Sequence, residues 1–204
     1  MKAAFILALA LAAAGQAPAD RAGPPPTAEA RAAIHAFGRC VARHSPALAA
    51  ETLAGDFTTR AYRSRLRVLA RVNESCFRER GSMRSDPLLF AGAIAEALLA
   101  DDPAALNVRL ARAATGPATP AWSPTDRIAI CVVRSVPDDV ARLFAAGVAS
   151  AAETAAMDAI EPVLSACNRT GRPLAVSHAG LRAMLATAAF RSVRGAAPAG
   201  ERGS

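Results

Sequence analysis

Cys40-Val41-Ala42-Arg43-His44-Ser45-Pro46 returns 91 positions later as Cys131-Val132-Val133-Arg134-Ser135-Val136-Pro137. The match continues without gaps, with Val72 on Val163, Cys76 on Cys167, Arg78 on Arg169 and Ala95 on Ala186. Apolar positions correspond without identity: Leu66 with Met157, Leu69 with Ile160, Phe90 with Leu181, Ile94 with Leu185 and Leu99 with Phe190. A fixed offset sustained over this span reads as the tandem duplication of one small unit. Each unit carries two cysteines 36 positions apart, Cys40 with Cys76 and Cys131 with Cys167.

Composition and periodicity make the unit helical. Alanine is abundant, β-branched residues are scattered, and there is one Trp and one Tyr, a balance that favours helix over sheet. Thr27 is placed to cap a helix to about His44 with Ala30, Ile34, Phe37 and Val41 on one face. Ser45-Pro46 starts a short helix to about Ala54. Thr58 or Thr59 opens a longer one to about Phe77, whose apolar face is Tyr62, Leu66, Leu69, Val72 and Cys76. Asp86-Pro87 begins the fourth. The second copy follows the same plan from Ser123-Pro124, Pro137, Ser150 and Ser177, with a kink expected at Pro162. Between the copies, Asp101-Asp102-Pro103 offers a start for a further short helix through Leu106 and Leu110.

The amino terminus has the form of a secretory signal. Lys2 precedes the apolar run from Ala3 to Ala14, and Ala17-Pro18-Ala19 is a small-x-small site before Asp20. Cleavage is expected after Ala19. The run is too short to cross about 30 Å of hydrocarbon, so no transmembrane segment is expected. The style of the signal points to a bacterial periplasm or secretion. In that oxidising setting an even number of regularly spaced cysteines reads as disulfides. The duplication favours Cys40–Cys76 and Cys131–Cys167, because a unit that once stood alone had only those two. Each bridge should contribute roughly 3–4 kcal/mol. The expected organisation is a signal peptide at 1–19, a disordered lead-in at 20–27 and helical repeat 1 at 28–100. A linker with a possible short helix follows at 101–121, then helical repeat 2 at 122–192 and a disordered tail at 193–204. The fold class is all-α: two tandem disulfide-clamped helical repeats packed into one bundle.

Chemistry is harder to find. His35, His44 and His178 have no second histidine or carboxylate at ligand spacing on the same helix face. No Cys-x-x-Cys, nucleophile elbow or phosphate-cradling glycine loop occurs. Neither a catalytic residue, a cofactor nor a metal is therefore expected. Asp101-Asp102 and Asp138-Asp139 sit beside prolines, where negative charge suits a helix start. Arg43/Arg134 and Arg78/Arg169, retained in both copies beside the cysteines, read as architectural groups for helix-end carbonyls or acidic neighbours. The formal net charge of +7 comes from 24 Lys+Arg against 17 Asp+Glu. Part of it is concentrated: Arg60, Arg63, Arg67 and Arg71 form a helical stripe that copy two lacks. This ridge is the candidate contact for an anionic envelope component or protein. Nucleic acid is disfavoured by export and by the lack of interleaved aromatics.

The pattern Cys-Val-x-Arg-x-x-Pro, then Cys-x-Arg, then a closing helix such as Leu181-Arg182-Ala183-Met184-Leu185-Ala186 resembles a group of uncharacterised secreted alphaproteobacterial proteins. The resemblance covers about residues 37–99 and 128–191 and implies the repeat and the export, with no assigned activity. In copy one, Ala91 stands where the pattern has the arginine of Arg182. The function expected is a non-enzymatic exported protein that binds an anionic partner through the ridge. The alternative is a small-molecule or lipid carrier, with an apolar cavity between the copies lined by Leu66, Leu69, Met157 and Ile160. An enzyme lacks any supporting constellation.

Overall fold

The computed structural model describes residues 26–77 and 86–196. The expected signal peptide, residues 20–25 of the expected lead-in and most of the expected carboxyl-terminal tail lie outside them. The fold is all-helical. Helices α1 (Ala28–His44), α2 (Pro46–Ala54), α3 (Arg60–Val72) and α4 (Pro87–Ala100) occupy the first half, with a 3-10 turn at Glu74–Cys76. Helix α5 (Leu106–Thr115) joins them to α6 (Pro124–Ser135), α7 (Pro137–Ala145), α8 (Ala151–Cys167) and α9 (His178–Ala196). The starts of α2, α3 and α4 and those of α7, α8 and α9 are offset by 91, at positions 46/137, 60/151 and 87/178.

Helix starts follow the side chains that satisfy the free amides of a first turn. Thr59 Oγ1 accepts from Tyr62 N at 3.1 Å, and Ser150 Oγ, its counterpart at the same offset, accepts from Glu153 N at 3.2 Å. Thr27, Asp86 and Ser123 cap α1, α4 and α6 in the same way. Ser45 does not cap α2. Its hydroxyl donates instead to Asn73 Oδ1 at 3.1 Å, which ties the start of α2 to the end of α3. The third helix of the first half is shorter than the periodicity suggests, because the chain leaves α geometry at Asn73 before the 3-10 turn. Its counterpart α8 runs continuously through Pro162.

Helices α4 and α9 form the centre. Both are buried around most of their circumference, with Phe90 to Ala95 and Leu99 inside on α4, and Leu181 to Ala183, Leu185, Ala186 and Ala188 to Phe190 inside on α9. They come into close contact at Gly92 and Ala183, two positions themselves 91 apart; a Cβ on Gly92 would lie 2.5 Å from the Ala183 Cα. Helix α1 packs on α4 and α6 on α9. The pairs α2/α3 and α7/α8 flank this centre.

Both disulfides form within their halves, Cys40–Cys76 with Cα atoms 5.7 Å apart and Cys131–Cys167 at 5.8 Å. They join α1 to the 3-10 turn and α6 to the end of α8, and they fit an oxidising compartment. No helix among the described residues is long and apolar enough to cross a membrane.

Two boundaries differ from the sequence reading. The linker region holds a full helix, α5, packed on α6, α7 and α9 through Leu110 and Ala113. Its start has no side-chain cap, and Asp101 ends α4 rather than opening a helix. The tail expected from 193 is helical as far as Ala196, because α9 still has Arg191 and Ser192 buried in its last turns.

Candidate functional site: a cavity between the halves

Two neighbouring regions between the halves are built from corresponding positions and differ in content. The first is filled by charge. Arg182 of α9, 2% exposed, grips Glu96 of α4 with two bonds, Nε to Oε1 at 2.8 Å and Nη2 to Oε2 at 2.7 Å. Its Nη1 donates to Glu153 Oε1 of α8 at 3.0 Å, and Nη2 reaches Ala146 O at 3.1 Å. Arg31 of α1 donates to the same Glu153 oxygen at 2.5 Å, and Glu153 Oε2 accepts from Ala149 N at 2.8 Å. His35 Nδ1 lies 3.8 Å from Glu96 Oε2, so the histidine sits beside the α4 carboxylate without a hydrogen bond to it.

The electrostatics of the cluster follow from burial opposed by pairing. Burial pushes Glu153 up, but hydrogen bonds from Arg31, the Ala149 amide and Arg182 outweigh it, and its carboxyl sits below the ordinary range. Burial dominates for Glu96, whose pKa is raised. Burial and then the Arg182, Arg31 and Arg39 charges push His35 down to about 4. At neutral pH His35 is therefore uncharged. The cluster is closed by its own contacts and acts as a lock between α1, α4, α8 and α9.

The second region is open. A cavity of about 270 Å³ lies between the halves. The first half supplies Leu53, Phe57, Tyr62 and Ala91; the second supplies Ala129, Met184 and Thr187. Asp126 and Arg191 add a buried ion pair, their side chains 3% and 5% exposed, and Arg63 and Asp86 also line the space. Shifting the charged cluster by 91 lands on this cavity at four positions: Arg182 maps to Ala91, Glu96 to Thr187, Glu153 to Tyr62 and His35 to Asp126; Arg31 maps to Trp122, which stacks on Arg191 behind the lining. The space exists because alanine stands where the other half has a full arginine side chain.

The polar groups of the cavity are unevenly satisfied. Arg191 Nη2 donates to Asp126 Oδ1 and Nη1 to Pro120 O at 3.0 Å. Its guanidinium lies over the Trp122 ring, 4.3 Å from the centroid. Asp126 Oδ2 accepts from Trp122 N at 2.9 Å. Arg191 Nε is buried with no hydrogen-bond partner among the described residues. The Tyr62 phenol is pushed up to about 12 by burial, against the opposing pull of Arg191, so it stays protonated and able to donate.

The other sequence candidates are dispersed. Arg60, Arg63, Arg67 and Arg71 are all exposed on α3, opposite buried Tyr62, Leu66 and Leu69. None of the four makes an ion pair among the described residues, whereas Arg65 between them pairs with Glu51 at 3.0 Å. Leu66, Leu69, Met157 and Ile160 do not line the inter-half cavity. They are buried in the core of the bundle, because α3 and α8 flank the centre while α4 and α9 meet there. Among the described residues the one group of three possible metal ligands is Cys40, His44 and Cys76, and a disulfide occupies both sulfurs. Asp138 and Asp139 lie in the first turn of α7, where Asp138 accepts from Asn107 at 2.9 Å and Asp139 pairs with Arg142 at 2.7 Å. Arg134 reaches the carbonyls of Ala113, Ala114, Gly116 and Pro117 at the end of α5, the helix-end role expected of it. Arg78 lies outside the described residues.

The cavity-lining Tyr62, Asp126 and Arg191 and the clustered Glu96 and Glu153 were not singled out from sequence. One signal was available. In the comparison at offset 91, Glu153 meets Tyr62 and Glu96 meets Thr187, as Arg182 meets Ala91: three charges lost together amid apolar matches. Searches against protein-family models, curated proteins and solved structures return no match for this chain.

Proposed function

We propose that this is an exported, non-enzymatic protein of the bacterial envelope that binds a small molecule between two duplicated halves. In this reading residues 1–19 are a signal peptide cleaved near Ala19, and the mature chain works in the periplasm or beyond the cell. An ancestral helical unit with one disulfide was copied. One inter-half position kept or acquired a charged lock around Arg182. The other became a ligand site when Ala91 took the place of arginine. The observation that carries the reading is the cavity itself, lined by Leu53, Tyr62 and Ala91 from the first half and by Ala129, Met184 and Thr187 from the second. The resemblance to secreted alphaproteobacterial proteins agrees with the export and assigns no ligand.

Native mass spectrometry tests this on protein purified from its own periplasm. A co-purified small molecule is expected on the wild-type chain and should be absent from Ala91→Leu, which fills the space. A bare wild-type mass would reject the reading.

A second reading has its own observation. The four α3 guanidinium groups that make no ion pair among the described residues present one sign of charge on an exposed face, which suits an anionic envelope component or acidic protein. Replacing Arg60, Arg63, Arg67 and Arg71 with Gln should abolish a salt-sensitive pull-down from envelope extract. An unchanged pull-down rejects the ridge, and because Arg63 also lines the cavity the loss must persist when only Arg60, Arg67 and Arg71 are replaced.

A further inference from the structure

Building on the α3 ridge as an anion contact, we infer that its occupant is the surface of an anionic phospholipid bilayer, on which the protein docks peripherally. Helix α3 turns two kinds of residue outward. Arg60, Arg63, Arg67 and Arg71 are exposed, and no acidic residue occurs within the helix. Beside them stand Val68 and Val72, 45% and 60% exposed, two of the four large apolar side chains left in solvent among the described residues. At about 3.6 residues per turn the two valines form a row alongside the arginines, clear of the buried Tyr62, Leu66 and Leu69.

The corresponding helix of the second half has the opposite sign. Helix α8 contains no Lys or Arg, and it exposes Asp158 where α3 has Arg67, with Glu161 one turn further on. The cationic face is thus confined to one of two matching helices, and an anionic plane attracts that face rather than the whole surface. The acidic groups nearest the ridge in the chain do not cancel it. Glu51 is paired with Arg65, Asp56 accepts from the Thr58 amide and hydroxyl, and Glu74 lies past the helix end.

Shape and composition favour a bilayer over an acidic protein. From Arg60 to Arg71 the stripe runs about 17 Å along a single helix. A stable protein interface covers about 800 Å² on each partner and draws on aromatic anchors; this stripe is far smaller, and no aromatic residue is exposed on α3. A lipid surface needs no matching shape. It offers a phosphate wherever a guanidinium lands and hydrocarbon just below for the valines.

The test is co-sedimentation of the mature chain with phosphatidylcholine vesicles made with and without phosphatidylglycerol, at low and high salt. Arg63 is left intact because it also lines the cavity. The wild type is expected to pellet only with the anionic vesicles and to be released by salt. Each arginine near the surface is worth about fivefold, so replacing Arg60, Arg67 and Arg71 with Gln should weaken binding on the order of a hundredfold. The same three changed to Lys should keep it, which separates charge from damage to the fold. Val68→Ser with Val72→Ser should weaken vesicle binding several-fold while binding to soluble polyglutamate stays as in the wild type. Equal pelleting with both vesicle types, or pelleting that survives the Gln variant, overturns the inference. Vesicle binding that ignores the valine changes makes the ridge a general polyanion site and overturns the commitment to a bilayer. No pelleting with anionic vesicles, alongside an envelope pull-down that the Gln variant loses, overturns the bilayer and leaves the ridge to an acidic protein; if the pull-down is also unchanged, both fall.

Discussion

Arg182 and Ala91 stand at corresponding positions and have opposite consequences. The arginine closes one inter-half region with a buried network; the alanine opens the other. Removing Arg182 should be severe, because Glu96 and Glu153 would be left buried beside each other without that charge. Arg182→Ala is expected to lose about 3–5 kcal/mol in urea unfolding, whereas Ala91→Leu should be neutral or mildly stabilising as it fills space. His35 gives the network a pH signature. Its pKa falls from 6.5 to about 4 on folding, so its contribution is fully present above pH 6.5 and is lost as pH falls towards 4. By linkage that loss reaches about 3 kcal/mol at most. Glu96, raised on folding, acts in the opposite direction: its contribution is present below 4.5 and lost as pH rises through its folded value. Comparing wild type with His35→Gln isolates the histidine. The variant should show a flatter stability profile between pH 6.5 and 4, and an unchanged slope would remove His35 from the account. The histidine was visible in the sequence, but Glu96 lies on another helix, so no local spacing pointed to the pair.

At the level of elements, the close approach of α4 and α9 depends on Gly92. A methyl group there meets the Ala183 backbone and Cβ at 2.5 Å, and a main-chain obstacle cannot rotate away. Gly92→Ala should therefore cost about 1–3 kcal/mol by overpacking. Gly195→Ala is the matched control in α9, with nothing within 4 Å of the new Cβ; it should be neutral or slightly stabilising through helix propensity. Helix α5 shows how a presumed linker becomes structure. Leu110 is fully buried, Arg109 donates to Ala104 O at 3.0 Å and to Leu99 O, and Arg134 holds the far-end carbonyls. Arg134→Ala should lower hydrogen-exchange protection across 106–117 while the protection of α4 stays as it is. Element starts were readable because caps and prolines act within one turn. The helical status of 106–115 was readable only as a possibility, because its stability comes from α7 and α9 rather than from its own cap.

For the whole molecule, the halves share one core, and this makes the protein a single cooperative unit. Helix α4 buries its face against α9, and Arg182 binds Glu96 across the same boundary. Urea unfolding should show one transition by fluorescence and by far-ultraviolet dichroism; two separated transitions would mean that the halves are independent. Replacing Cys40 and Cys76 together by serine should lower stability by about 3–4 kcal/mol without splitting that transition. The helical class, the two cysteine pairs and most helix starts were determined by the amino-acid sequence alone, because periodicity, capping and spacing are short-range properties. The offset of 91 pointed to the pairing of cysteines that the two disulfides show, through spacing rather than geometry. Which faces meet at the centre was decided by tertiary packing: α4 on α9, with Leu66, Leu69, Met157 and Ile160 in the core rather than around the cavity between the halves. Packing also brought together Tyr62, Ala91, Asp126 and Arg191, four residues from four helices. A cavity is the volume that side chains from distant segments fail to fill, and no stretch of chain carries that sum by itself.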